Sequence, residues 1–216
     1  MKKLTILDTF SGIGGFSYAA ERLVGGFKTT QFVENNPYCQ KILKKHWPHV
    51  PIHNDIKTFT AEPFQFDCIS GGFPCQDISN AGLQKGITKN TRSGLFYELI
   101  RIIRMVRPRY VVLENVAAIT NRGMDIVLRE LYESGYNAEW SVISASALGA
   151  CHQRARWWLV AYPDSKRSQR RLLQFNKELQ ETRHIREKNT FNSSNPDSFR
   201  TQSNSKGLET PIWTNA

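Results

Sequence analysis

Short apolar runs punctuate the first 162 residues: LTIL ahead of Asp8, QFV ahead of Glu34, FDCIS at 66–70, YVVLENV at 110–116 and WWLVAY at 157–162. Each is strand-length and apolar at successive positions, which predicts strands buried on both faces. The segments between them are patterned differently. GLFYELIRIIRMVRP spaces its apolar residues by three and four, placing Leu95, Leu99, Ile102, Ile103 and Val106 on one helical face, with Pro108 as the stop. RGMDIVLRELYESG predicts a second helix closed by Gly135, and a helical pattern also begins near Phe16. Buried strands alternating with helices predict an α/β fold with a doubly wound, mostly parallel sheet.

After Tyr162 this patterning stops. Residues 163–216 are dominated by Ser, Asn, Gln, Thr and charge, and LLQFNKELQE alone hints at a helix. Such a composition buries too little apolar surface to fold by itself. The chain therefore divides into a folded domain, 1–162, and a polar basic tail, 163–216, expected to be a linker, a partly disordered extension or the start of a further region. There is no internal repeat.

Charge narrows the partners. Lys and Arg number 29 against 19 Asp and Glu, a net charge of +10, which suits a polyanion such as nucleic acid as well as simple solubility. No apolar run approaches the ~20 residues needed to cross a bilayer, and Asp8 interrupts the first run too early for a signal peptide. A cytoplasmic protein without membrane contact is expected. The four cysteines, Cys39, Cys68, Cys75 and Cys151, lie on separate segments and form no C-x-x-C pair. Neither a metal site nor a disulfide framework is expected.

The candidate chemistry sits where strands end. The first strand runs into DTFSGIGGF, whose Gly12, Gly14 and Gly15 permit a tight turn and close approach to the backbone, although the spacing is not that of the dinucleotide fingerprint. Glu34 ends the second strand, where an acid can accept hydrogen bonds from ribose hydroxyls or simply cap a helix at Pro37. Asp55, in NDI, can take an adenine amino group or close a turn. In GGFPCQDIS, the glycines and proline around Cys75 indicate a loop, leaving the cysteine open as a core group or a nucleophile. Arg154 and Arg156 are two apart on a predicted strand and so share a face. A Rossmann dehydrogenase would share the glycine-rich opening, and a cysteine hydrolase would pair Cys75 with His152.

The ordered set DTFSGIGGF, FVENN, NDI, GGFPCQDIS, RSGLFYELIR, LENV and HQRARWWLVAY, spanning residues 4 to about 162, resembles the DNA cytosine-5 methyltransferase family. The resemblance implies a Rossmann-like methyltransferase fold and S-adenosylmethionine as cofactor. Phe10, Ser11, Gly12, Gly14, Gly15, Glu34, Asn35, Asp55, Ile56 and Pro74 would hold the cofactor, with Glu34 on the ribose and Asp55 on the adenine. It implies double-stranded DNA as partner, in an enzyme of the restriction-modification type from a prokaryote or phage, while related enzymes methylate RNA cytosine. Cys75 matches the family nucleophile that adds to C6 of cytosine, and Glu114 the acid that protonates N3. Arg154 and Arg156 match the arginines at the target nucleotide, and Gln76, Ser79 and Asn115 fall at substrate-contacting or loop-holding positions. His152 stands where many members have Gln, and a satisfied polar contact is its expected role. The loop from 77 to 94 would close over a flipped base, at a cost of a few kcal/mol.

Family motifs that normally follow, a target-recognition region, an Arg motif and a Gly-Asn motif, have no counterpart in 163–216. The expectation is an amino-terminal portion of an enzyme, or one part of a split enzyme completed by a second chain, with weak cofactor binding and poor methyl transfer when 1–216 is alone.

Overall fold

The computed structural model describes residues 2–74 and 94–164. Seven strands form one sheet in the order β3-β2-β1-β4-β5-β7-β6. β1 (Leu4–Thr9) pairs in parallel with β2 (Phe27–Val33) on one side and β4 (Cys68–Gly72) on the other. β3 (Ile52–His53) adds one edge, and β5 (Tyr110–Val116) continues the parallel set beyond β4. β7 (Ala155–Pro163) is antiparallel to both β5 and β6 (Tyr136–Ser144), so the sheet is mostly parallel with one reversed strand. The chain order reverses between β1 and β4, the crevice where open α/β sheets bind ligands beyond their strand ends.

Burial on both sides, as expected from the apolar runs, holds for the central strands, where Ile6 and Leu7, Phe32 and Val33, and Cys68 and Ile69 are consecutive core residues; β5 and β7 depart from it and alternate, burying Val111, Leu113, Trp157, Leu159 and Ala161 on one face while Tyr110 and Val160 are exposed. α3 (Leu95–Val106) covers one face with Phe96, Leu99, Ile100, Ile102, Ile103 and Val106, each worth about 1.5–3 kcal/mol on burial. The predicted stripe is thus wider than read, and Leu95 is only half-buried. The helix ends one residue before Arg107, which takes the left-handed conformation (φ 52°) ahead of Pro108. α4 (Met124–Glu133) buries Val127, Leu128 and Leu131, and Gly135 (φ 89°) follows it as expected.

On the opposite face, α1 (Gly15–Tyr18) continues into a π-helical stretch, Ala19–Val24. Phe16 packs edge-on to Trp158 of β7, with ring centres 5.5 Å apart. α2 (Pro37–His46) starts with Pro37 in its first turn, capped by Asn36, whose side chain accepts the N–H groups of Tyr38 and Cys39.

The edge strand β6 escapes the apolar-run reading because YNAEWSVIS alternates and is exposed through most of its length. Among the described residues no helix is long and apolar enough to cross a membrane.

Candidate active site

β1 leaves the sheet through a strained turn. Phe10 has φ 52°, a left-handed conformation that non-glycine residues seldom adopt and that clusters at functional sites. Gly12 (φ 53°) and Gly14 (φ 88°) continue the turn. A side chain at Gly12 would meet nothing, whereas a Cβ at Gly14 would stand 2.6 Å from the Trp47 ring. The group that approaches Gly14 closely on its Cβ side is Trp47, at the end of α2. Trp47 is itself anchored by its indole N–H donating to Glu21 Oε2 at 3.0 Å.

Behind this turn lies Asp8, 1% exposed. Its carboxylate accepts from Ser17 Oγ at 2.6 Å and Ser70 Oγ at 2.8 Å, tying β1 to α1 and β4. Burial pushes the Asp8 carboxyl up to about 6; the two hydroxyls pull against this, and Glu34 adds to the rise.

Glu34, just past β2, is buried and fastens the turn from the other side. Its Oε2 accepts the Gly12 N–H at 2.7 Å and its Oε1 the Asn36 N–H at 2.8 Å. Each oxygen keeps a second lone pair. Asp55 shapes the next loop by accepting the Lys57 N–H on Oδ1 at 3.0 Å, which leaves Oδ2 without a bond among the described residues. Phe10, Glu34, Asn35, Asp55, Ile56 and Pro74 together line a cavity of about 340 Å³. Val33, Asn54, Lys57 and Leu95 complete it; they neighbour motif residues but carry no motif signal of their own.

The second group assembles at the ends of β5 and β7. Glu114 pairs in register with Trp158, so Arg156, two residues earlier on β7, is its diagonal neighbour on the same face. Arg156 Nε donates to Glu114 Oε1 at 2.8 Å. Glu114 Oε2 faces Gly72, where a Cβ would stand only 3.1 Å away. Burial lifts the Glu114 carboxyl above its ordinary range, with Arg156 and then Arg154 opposing. Arg154 sits one residue ahead of β7, exposed, on the same cavities as Arg156.

Asn115 points to the other face, 1% exposed, and donates from Nδ2 to the Phe73 carbonyl at 3.1 Å while accepting the Val116 N–H. That carbonyl lies two residues before Cys75. Cys75, Gln76 and Ser79 themselves fall outside the described residues. His152 is exposed and makes no hydrogen bond among the described residues, so the expected satisfied contact is not formed there.

A cavity of about 530 Å³ holds Phe10, Ser11, Gly15, Glu114, Arg154 and Arg156, and a third of about 370 Å³ joins Glu34 and Asn35 to Glu114 and both arginines. Phe10 lines all three. Gly12 and Gly14 line none of them; they shape the turn. Sequence reasoning missed Ile13, Ile143, Leu148 and Trp158 on the 530 Å³ cavity, since isolated apolar residues carry no chemical signature.

Comparison with known proteins bears on this arrangement. The family model for C-5 cytosine-specific DNA methylase matches residues 4–214. The chain is 37% identical over 158 residues to the Type II methyltransferase M.CviJI of Paramecium bursaria Chlorella virus IL3A, covering 72% of this chain and 42% of that protein. It is 31% identical over 160 residues to the Type II methyltransferase M.MspI of Moraxella sp, covering 72% and 38%. The chain thus spans about two fifths of the length of these curated relatives. Its fold is shared with the S. pombe Dnmt2 methyltransferase at a TM-score of 0.63, 24% identity, and coverage of 74% of this chain and 51% of that one. Matched from its first strand onward, the chain belongs to the C-5 cytosine-specific DNA methylase family.

Proposed function

We propose that the protein methylates C5 of cytosine in double-stranded DNA, with S-adenosylmethionine bound across the 340 Å³ and 530 Å³ cavities, as an enzyme of the Type II restriction-modification kind. One observation carries the reading. An acid-lined cavity of adenosine size opens, around the strained Phe10, onto a half-buried Glu114–Arg156 pair at the end of β5.

The residues present fit the cofactor. Glu34 and Asp55 offer acceptor oxygens for ribose hydroxyls and an adenine amino group, between the apolar walls of Phe10, Ile56 and Leu95. When bound, S-adenosylmethionine supplies an electrophilic methyl group. The chain's task is then to make C5 of cytosine nucleophilic. The Cys75 thiolate adds to C6, which turns C5 enamine-like, and negative charge flows into the ring toward N3. Glu114, its pKa raised by burial, donates a proton to N3 and so stabilises that charge. Arg156 orients Glu114 through the 2.8 Å contact, and Arg154, exposed at the mouth, meets a phosphate of the target nucleotide. Asn115 fixes the Phe73 carbonyl and with it the root of the loop carrying Cys75. Gln76 and Ser79 contact the DNA around the extruded base, and +10 net charge favours the duplex.

Two titrations and one transfer assay test this. Calorimetric titration of the chain is expected to show binding of S-adenosylmethionine and none of NAD+. Tritiated methyl is expected to pass, at a low rate for this chain by itself, from S-adenosylmethionine to duplex DNA and not to RNA, with label at C5 of cytosine. Binding of NAD+ in place of S-adenosylmethionine would return the fold to the dehydrogenase reading, and transfer to RNA alone would overturn the substrate.

A further inference from the structure

The loop that presents Asp55 and Ile56 to the 340 Å³ cavity is a single helical turn. The Thr58 N–H donates to the Asp55 carbonyl at 3.1 Å, and the Phe59 N–H makes only a long 3.4 Å bond to the Ile56 carbonyl. A turn this short leaves its last carbonyls in need of partners, and a cation is the natural one. That cation is Arg101 of α3, far away in sequence. Its Nη1 donates to the Phe59 carbonyl at 3.0 Å, and its Nη2 to the carbonyls of Ile56 at 2.9 Å, Phe59 at 3.1 Å and Lys57 at 3.3 Å. Its Nε is occupied by Glu98 Oε2 at 2.7 Å, one turn back on the same helix, which fixes the plane of the guanidinium. The same helix supplies Leu95 to the cavity wall.

We propose that Arg101 is a positioning residue for the adenosine cavity: it clamps the 55–59 turn so that Asp55 and Ile56 face the adenine, without itself touching the ligand. The proposal rests on the cofactor reading given above. Four donor contacts to three carbonyls need a planar fork. A lysine ammonium, a point charge on a flexible stem, cannot span them. With the clamp open, Ile56, now 5% exposed, loses its fixed place under the ring site and Asp55 loses its aim. The cost therefore falls on adenosine binding before it falls on any chemical step.

The test is calorimetric titration of the full chain and its variants with two probes, S-adenosylhomocysteine and 5′-methylthioadenosine. Arg101→Met is expected to weaken both by the same factor, roughly 10-fold. Arg101→Lys is expected to fall between Met and the unsubstituted chain. Asp55→Asn combined with Arg101→Met is expected to be less than additive, because both changes act on one contact. A purely structural role would lower the melting temperature and leave that coupling at zero. Unchanged affinity in Arg101→Lys, or additive losses in the double variant, would overturn the clamp. If Arg101→Met does not fold, Arg101→Lys alone and in combination with Asp55→Asn decides by the same two criteria. If the unsubstituted chain binds neither probe, the cofactor reading fails first and the clamp falls with it. If it binds both and the variants do not differ, the clamp alone is wrong.

Discussion

The two sides of the site are built by different contacts. On the proposed cofactor side, the two acidic side chains that line the 340 Å³ cavity are engaged by backbone: Glu34 takes the N–H groups of Gly12 and Asn36, and Asp55 that of Lys57. Partners lie close in sequence or at the adjoining ends of parallel strands. On the proposed substrate side, Glu114 is held among the described residues by one side-chain contact, to Arg156 across an antiparallel strand pair. Backbone donors cannot swing away, whereas a guanidinium can. The first side is thus fixed in place, as a preformed receptor needs, and the second leaves a charged group free to change partner or proton.

The contrast can be broken most sharply at Glu114. Glu114→Gln is expected to lower methyl transfer by about 10²–10³-fold, the scale of a lost general acid, while leaving the melting temperature close to that of the unsubstituted chain. Steady-state kinetics beside calorimetry would show it, and an unfolded variant would mean that the substrate side is structural after all.

Gly14→Ala should do the reverse. The added methyl is driven into the Trp47 ring and held at φ 88°, so a stability loss of roughly 3–4 kcal/mol is expected from overpacking plus left-handed strain. Trp47→Leu in the same chain should return part of that loss, measured by urea unfolding. No recovery would mean that the conformation alone, and not Trp47, demands glycine.

Asp8 gives the cofactor side its own pH signature. Its carboxyl is raised to about 6 in the folded chain, so the folded state holds its proton more tightly than the unfolded state does. Its contribution is present below the unfolded value near 3.9 and is lost as pH rises through about 6, on the order of 3 kcal/mol in all. Unfolding free energies between pH 4 and 7 should show that fall, and Asp8→Asn should remove it. A slope that survives in Asp8→Asn would assign it to another group.

The smallest effect separates charge from position on the substrate side. Arg156 lowers the Glu114 pKa, so Arg156→Met should raise it, and the alkaline limb of transfer should move up by about one pH unit even though overall rate falls. A limb that stays in place would mean that Glu114 is not the group titrating.

The same contrast explains what was legible in the sequence. Strand ends of a parallel sheet are marked by where apolar runs stop, so Glu34 could be placed from the pattern, whereas Asp55 could as well have closed a turn and Glu114, inside the run YVVLENV, stood out only through the family resemblance. The close packing of Gly14 on Trp47 could not be read there, because two residues so far apart carry no joint signal. The helix at 95–106 was legible from its spacing, but Arg101 reads as an exposed polar position on it, and only the fold brings the Ile56 and Phe59 carbonyls to its guanidinium. β6 was missed because an edge strand with a wet side lacks a continuous apolar run. The reversal of β7, which sets Arg156 diagonal to Glu114, is a property of pairing that no local pattern encodes.

In the proposed reaction Cys75 attacks a cytosine ring beside a bound methyl donor, with Glu114 as its acid. Mass spectrometry of the chain after incubation with S-adenosylmethionine and duplex DNA carrying 5-fluorocytosine tests it most directly, since fluorine at C5 blocks release of the adduct. The expected result is a covalent complex that carries the transferred methyl group, mapped to the peptide containing Cys75 and absent in Cys75→Ala. A covalent complex at another residue, or methylated DNA formed equally well by Cys75→Ala, would contradict it.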